Sequence, residues 1–258
     1  MRGAIRKPAG KIAARGLAVT REQLFERATD PRQYDAPGLD WRREGAPGSH
    51  TARFVEAWLS PELERLRFQS AVDIGCGTGH LYPLLHRLGA RRVAGIEPAA
   101  ANAAFARRAF PALEVIESPL QDVSLPDAFD LAIVVMSFEH QPDLAAAFRS
   151  VHRLLLPGGS FALIAGEPEF HLTPRFGLGI ESHALADGSF LVATAYPYGT
   201  VHDIVRPPEH YVDAARAAAF AIRRRIAMAP TPELIESDPR WCPLELRTVA
   251  HLFVMTRD

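Results

Sequence analysis

The stretch AVDIGCGTGH, Ala71–His80, passes from an apolar run into glycines at alternate positions, Gly75, Gly77 and Gly79. A strand feeding such a turn brings bare backbone close to a ligand. After the turn Leu81, Leu84, Leu85 and Leu88 recur at helical spacing, and Gly89 falls where a C-terminal cap belongs, so a helix follows. Short apolar runs then alternate with helical periodicity, as in a parallel sheet joined by crossover helices. SAVDI (70–74) reads as the first strand and RRVAGIEP (91–98) as the second, ending at Glu97. AAANAAFARRAF (99–110) reads as a helix and ALEVIES (112–118) as the third strand. FDLAIVVM (129–136) is apolar on successive residues, which predicts a central strand buried on both faces. Leu144, Phe148, Val151 and Leu155 mark a helix, LPGGS (156–160) a tight turn and FALIAGEP (161–168) a fifth strand.

Beyond Glu167 the rhythm changes, and residues 167–207 read as an insertion over the sheet, rich in proline, glycine, histidine and aromatics without clean periodicity. A helix over EHYVDAARAAAF (209–220), a strand AIRRRIAMA (221–229) and a last strand TVAHLFVMT (248–256) follow. The arginines 223–225 alternate along a strand edge and read as a solvated face. Residues 1–66 read as an arm and helical cap, and 67–258 as the main α/β domain carrying the insertion.

At 258 residues and 48% hydrophobic, the chain is long enough for one substantial core. A net charge of −1 gives no global pull toward nucleic acid, and none is expected as a partner. Two cysteines, Cys76 and Cys242, cannot build a disulfide framework, and their scarcity suits a reducing cytoplasm. No run approaches the roughly 18 apolar residues of a spanning helix, so no membrane partner is expected. The N-terminal MRGAIRKPAGKIAARGLAV is basic and lacks acids, and reads as a poorly ordered arm. No metal-ligand spacing stands out among the histidines, and no metal is expected.

A dinucleotide fingerprint would read G-x-G-x-x-G, whereas the order here is G-x-G-x-G. Asp73 ahead of the first glycine is a poor neighbour for a pyrophosphate and a good one for an ammonium or sulfonium group. Glu97 stands where a carboxylate can accept both hydroxyls of an adenosine ribose. Acid, glycines and second acid fit one nucleoside-bearing cationic ligand.

These residues resemble the class I S-adenosylmethionine-dependent methyltransferases. VDIGCGTGHL is similar to their first motif, GIEP to the ribose-binding strand end, FDLAIVV to the fourth strand, and LLLPGGSFAL to the turn into the fifth. The resemblance covers residues 70–165 with specific motifs and extends more weakly to the end. It implies a Rossmann-like, seven-stranded, mostly parallel sheet with helices on both faces, and S-adenosylmethionine as cofactor. It also implies Asp73, Gly75, Cys76 and Gly77 around the methionine part, Glu97 on the ribose and Pro98 beside it. Pro119 occupies the position where the family usually holds an acid against the adenine amine, so adenine falls to backbone groups near Leu120 and Gln121. Met136 and Ser137 follow the fourth strand, close to the methyl group, and Tyr34 and Trp41 of the cap close over cofactor or substrate.

Methyl transfer from a sulfonium is an in-line displacement, and a base is needed only when the acceptor carries a proton. Candidates sit where the chain leaves the sheet. MSFEHQPD (136–143) offers Glu139 and His140, and YGTVHDIVRPP (198–208) offers His202, Asp203 and Arg206. The latter, with the helix after it, resembles a segment of bacterial small-molecule methyltransferases in which a histidine and an arginine precede a tyrosine-bearing helix ending in Gly-Phe; here Ala219-Phe220 replaces that ending. His202 and His140 are the expected catalytic residues, with Trp41, Glu139 and Arg206 on the acceptor. The expected reaction is methylation of an oxygen or nitrogen of a small molecule. An RNA or protein methyltransferase, a cofactor-binding protein without turnover and a nicotinamide oxidoreductase with a variant loop are the alternatives.

Overall fold

Residues 20–35, 49–197 and 199–258 are described by the structure, a computed structural model. The N-terminal arm and Trp41 lie outside them. Strands among these residues are β1 (Ser70–Ile74), β2 (Arg92–Ile96), β3 (Glu114–Ile116), β4 (Phe129–Val135), β5 (Leu155–Gly166), β6 (Gly179–Ala184), β7 (Phe190–Tyr196), β8 (Gly199–Val205), β9 (Phe220–Met228) and β10 (Ala250–Arg257). Helices are α1 (Arg21–Thr29), α2 (His50–Leu63), α3 (Tyr82–Arg87), α4 (Ala100–Ala109), α5 (Leu144–Leu154), α6 (Pro168–Leu172), α7 (Pro208–Ala217) and α8 (Pro232–Ser237).

The main sheet has seven strands in the order β3-β2-β1-β4-β5-β10-β9. β1, β2, β3, β4 and β5 pair in parallel, and β10 runs antiparallel to both β5 and β9. This is a Rossmann-like, mostly parallel sheet of the α/β class. Side-chain alternation sorts its core into two layers. Ala71, Leu131, Ile133, Ala162 and Ile164 pack toward α2, α3 and α8. Val72, Ile74, Ala132, Val134, Phe161 and Leu163 pack toward α5 and α7. β4 is covered on both sides, as its unbroken apolar run requires, with Leu131 through Val134 fully buried. The chain turns from β1 outward to β2 and β3 on one side and to β4 on the other, so a crevice opens beyond the ends of β1 and β4, where open α/β sheets bind ligands.

Two parts differ from the sequence reading. The LPGGS segment is not a separate turn: β5 begins at Leu155 and passes through it, with Gly158 at φ +77° and the pairing with β4 shifting register between Phe129 and Leu131. The insertion is ordered as a three-stranded antiparallel sheet, β6-β7-β8. Its periodicity is faint because the edge strand β6 is almost entirely exposed and buries no apolar face. α1 packs on this small sheet through Leu24 and Ala28 against Leu191 and Ile204. A capping box of Thr20 and Gln23 starts α1.

Candidate active site

A cavity of about 530 Å³ lies at the crevice between β1 and β4, within the usual range for small-molecule sites. The glycine turn forms its floor. Gly75 (φ +72°) and Gly77 (φ +55°) adopt the left-handed region, and for different reasons neither position takes a side chain. A Cβ on Gly75 would collide with Ser137, whereas nothing lies within 4 Å of the position a Cβ on Gly77 would take. Gly77 therefore presents open backbone to the cavity.

Glu97, 5% exposed, sits opposite. Its Oε2 accepts the Gly77 N–H at 2.8 Å and its Oε1 the Ala99 N–H at 2.9 Å, which locks the glycine turn to the end of β2. Each oxygen keeps a further lone pair for a hydroxyl donor. Burial raises its pKa, opposed by those two N–H donors. Asp73, 3% exposed, has no hydrogen-bond partner among the described residues, and burial first, then the Glu97 charge, push its carboxyl up to about 7. A buried carboxylate without a donor is incomplete, and an ammonium group completes it. The residues therefore fit S-adenosylmethionine: bare backbone at Gly77 and an acid, Glu97, aligned by two backbone amides on the cavity wall, with a second acid, Asp73, short of a donor and buried behind that wall. Cys76 is 1% exposed, and its Sγ packs where a Cβ of Gly95 would stand; only its small size serves the cavity.

Pro98, Leu120 and Gln121 line the same cavity, with Asn102, Pro119 and Ile96. Gln121 Nε2 donates to Gln141 Oε1 at 2.5 Å, joining the 3-10 turn Leu120–Asp122 to the loop after β4. Met136 and Ser137 form the wall at the exit of β4. Met136 holds φ +49°, a strained conformation for a side-chain-bearing residue, directly after β4. Ser137 Oγ donates to the Ile74 carbonyl at 2.8 Å, which ties the ends of β4 and β1 together.

The segment after α1 closes the cavity from above. Asp35 Oδ1 accepts the Ala101 N–H at 2.8 Å and pins this segment to the start of α4. Tyr34 lines the cavity and lies 2.5 Å from His140 Nε2 through its hydroxyl. His140 Nδ1 is 3.1 Å from the Ala28 carbonyl, which only accepts, so Nδ1 carries the hydrogen. Burial lowers the His140 pKa and keeps the ring neutral, and the Nε2 lone pair then receives the Tyr34 hydroxyl. His140, expected as a catalytic residue, is in this geometry a link between α1, Tyr34 and the exit of β4, its basic nitrogen already engaged.

The other acceptor-side expectations are redirected. Arg206 is 6% exposed and absent from the cavity wall; its Nη1 donates to the Phe138 carbonyl at 3.1 Å and its Nη2 to the Gln141 carbonyl at 2.5 Å, so it clamps the 3-10 turn Phe138–His140. Glu139 points under that turn, its Oε1 accepting the Gly166 N–H at 2.9 Å, while its Oε2 is buried without a partner. His202 is also absent from the cavity wall. Its backbone is bracketed by the Gln33 side-chain amide, and its ring, with a pKa lowered by burial first and by Arg27 second, stands toward α1. Strand alternation sends its neighbour the other way. Asp203 Oδ1 lies 3.7 Å from His140 Nε2, and burial pushes its carboxyl up to about 7 against the lowering effect of Arg175. Sequence reasoning also missed His80, Thr29, Pro31, Thr51, Ala52 and Val55 on the cavity wall.

The family model for a methyltransferase domain matches residues 72–163. Trans-aconitate 2-methyltransferase of Escherichia coli is 33% identical over 110 residues, 42% of this chain and 43% of that protein, so the chain spans less than half the length of the curated relatives it matches. An S-adenosylmethionine-dependent methyltransferase from Mesorhizobium loti superposes with a TM-score of 0.62 at 25% identity, covering 81% of this chain and 99% of that one. An S-adenosylmethionine-bound amino pentose methyltransferase from Micromonospora echinaspora gives 0.54 at 19% identity, covering 83% and 94%. Residues 72–163 thus match a methyltransferase domain, and the glycine turn, the two acids and the strand order around it are similar to those of S-adenosylmethionine-dependent methyltransferases.

Proposed function

We propose that the chain transfers a methyl group to an oxygen or nitrogen of a small-molecule acceptor, and that residues 67–258 do so beneath a cap formed by the residues before them. The observation that carries this reading is Glu97 on the cavity wall, its carboxylate aligned by the Gly77 and Ala99 N–H groups at the switch point of the sheet, with the buried, unpartnered Asp73 carboxyl near enough to feel its charge. When bound, S-adenosylmethionine supplies a methyl carbon on a sulfonium, open to in-line attack by the acceptor's lone pair. Asp73 holds the cofactor's amine, Glu97 its ribose hydroxyls, and Pro98, Leu120 and Gln121 the adenine side. Met136 and Ser137 bound the space where the methyl group is presented. Tyr34, held by His140, shuts water out and keeps the reacting groups aligned; such alignment lowers barriers by about 7–11 kcal/mol in well-oriented systems. The names of the relatives support a small acceptor, since they act on trans-aconitate and on an amino pentose.

Incubation of the full chain with methyl-tritiated S-adenosylmethionine and a cell extract separated into small-molecule, RNA and protein fractions tests it. Label is expected in the small-molecule fraction. Label confined to RNA or protein would replace the proposal with one of those substrates, and cofactor binding with no transfer to any fraction would leave a binding protein.

A further inference from the structure

β6 forms one edge of the small sheet, whose order is β6-β7-β8. Five of its six residues are exposed, so both of its faces are largely open. At the turn into β7 the Leu185 N–H donates to the Ser189 carbonyl at 2.8 Å, and the pairs His183↔Leu191 and Glu181↔Ala193 continue that register. In an antiparallel ladder alternate residues turn both backbone groups toward the same neighbour. Glu181 and His183 therefore bond to β7. Ile180, Ser182 and Ala184 turn their N–H and C=O outward, where they meet no partner among the described residues.

The two edges of the main sheet are guarded against such pairing. β3 is only three residues long, and β9 carries Arg223, Arg224 and Arg225, which set like charges against a copy of themselves. β6 reads GIESHA, without lysine, arginine or proline. Its sequence is instead complementary to itself in one register. Antiparallel pairing with the same strand of a second copy, about a two-fold axis through Ser182, sets Ser182 opposite Ser182 and Ile180 opposite Ala184, so every outward backbone group of the strand finds a partner. The same register sets Glu181 opposite His183 twice, at the positions where strands approach most closely, about 4.5 Å between Cα atoms. Sliding the strands by two residues opposes Glu181 to Glu181, or His183 to His183, and strands one of the outward residues beyond the end of the pairing.

We propose that β6 is a homodimerisation edge, which joins the small sheets of two copies of this chain into one antiparallel sheet ordered β8-β7-β6-β6-β7-β8. The interface is isologous, the same six residues serving both copies, with each outward residue donating once and accepting once across the axis. Specificity comes from the paired Glu181 and His183, which reward this register alone. Two short strands with few apolar side chains bury less than the roughly 1,600 Å² of a standard interface, so the dimer is weak and its population follows protein concentration. The pairing does not depend on the identity of the methyl acceptor.

Sedimentation equilibrium on the full chain over a roughly hundredfold range of concentration, with amide hydrogen exchange on the same samples, tests this. The wild type is expected to pass from monomer to dimer, with exchange at Ile180, Ser182 and Ala184 slowing as it does so. Ser182→Pro removes an N–H that β7 does not use, so it is expected to keep the wild-type thermal melt and to weaken the dimer at least about tenfold. His183→Glu sets a second acid against Glu181 and is expected to weaken the dimer as well. Adding Glu181→Arg to that variant is expected to restore it, since each opposed pair then joins an acid to a base again. These two exposed positions give the answer even where Ser182→Pro fails to fold. A wild type that stays monomeric throughout, a dimer that forms equally well in His183→Glu, or one that the paired exchange does not restore overturns the proposal.

Discussion

Asp73 stands at the end of β1 with its carboxyl pushed up to about 7, by burial first and by Glu97 second. Such a group binds its proton more tightly in the folded chain than in the unfolded one, where its pKa is about 4. Its contribution to stability is therefore complete below pH 4 and is lost as pH rises through 7. Without cofactor, Tm is expected to fall across that window, and Asp73→Asn to recover of the order of 2 kcal/mol at pH 8. The same substitution removes the acceptor for the cofactor's ammonium, so S-adenosylhomocysteine should bind it more weakly although the protein is more stable. A thermal melt and a binding isotherm on the one variant check both signs; a less stable Asp73→Asn at pH 8 would contradict the assignment. Asp73, the glycines and Glu97 were legible because bare backbone flanked by acids is a local pattern set by ligand chemistry. Asp203 was not separable from His202, because choosing between neighbours requires the facing of β8, and nothing in the exposed β6 or the insertion announced a sheet.

The 3-10 turn Phe138–His140 and α7 are elements whose geometry rests on single residues. Arg206 clamps the turn by two carbonyls, and Arg206→Met would leave both without a charged donor. A loss of about 3 kcal/mol is expected, roughly 6–12 °C in Tm for a chain of this size. Cofactor affinity should fall as well, because His140 and Tyr34 hang on the same turn; an unchanged Tm would remove Arg206 from that role. α7 ends through Ala219 at φ +58°, a left-handed position that glycine favours. Ala219 N–H donates to the Arg216 carbonyl, and its own carbonyl accepts from Asp258, so the conformation is fixed from both sides. Ala219→Gly is expected to raise stability by up to about 1 kcal/mol, read as a higher Tm, since the penalty on Cβ exceeds the extra freedom glycine gains in the unfolded chain. A lower Tm would show that the position carries no strain. Helices and parallel strands were readable where burial imposed a period; β5 was cut short at LPGGS because two glycines and a proline signal a turn, while pairing with β4 carries the strand through them.

At the scale of the whole molecule, the sheet fixes where ligand can sit, and the segments before and after the methyltransferase domain decide what can reach it. Thr29, Pro31, Tyr34, Thr51 and Val55 close the cavity from elements distant in sequence from the glycine turn, which is why no local motif revealed them. α1 packs on the β6-β7-β8 sheet, so the cap and the insertion meet over the same crevice. Everything proposed for the acceptor depends on the cavity taking an adenosyl cofactor with an amine, and a titration of the full chain measures that without knowing the acceptor. Isothermal calorimetry with S-adenosylhomocysteine is expected to show one site per chain, with a heat that changes between buffers of different ionisation enthalpy because Asp73 releases a proton on binding. NAD is expected to give no heat. Binding of NAD with no heat from S-adenosylmethionine or S-adenosylhomocysteine would contradict the account.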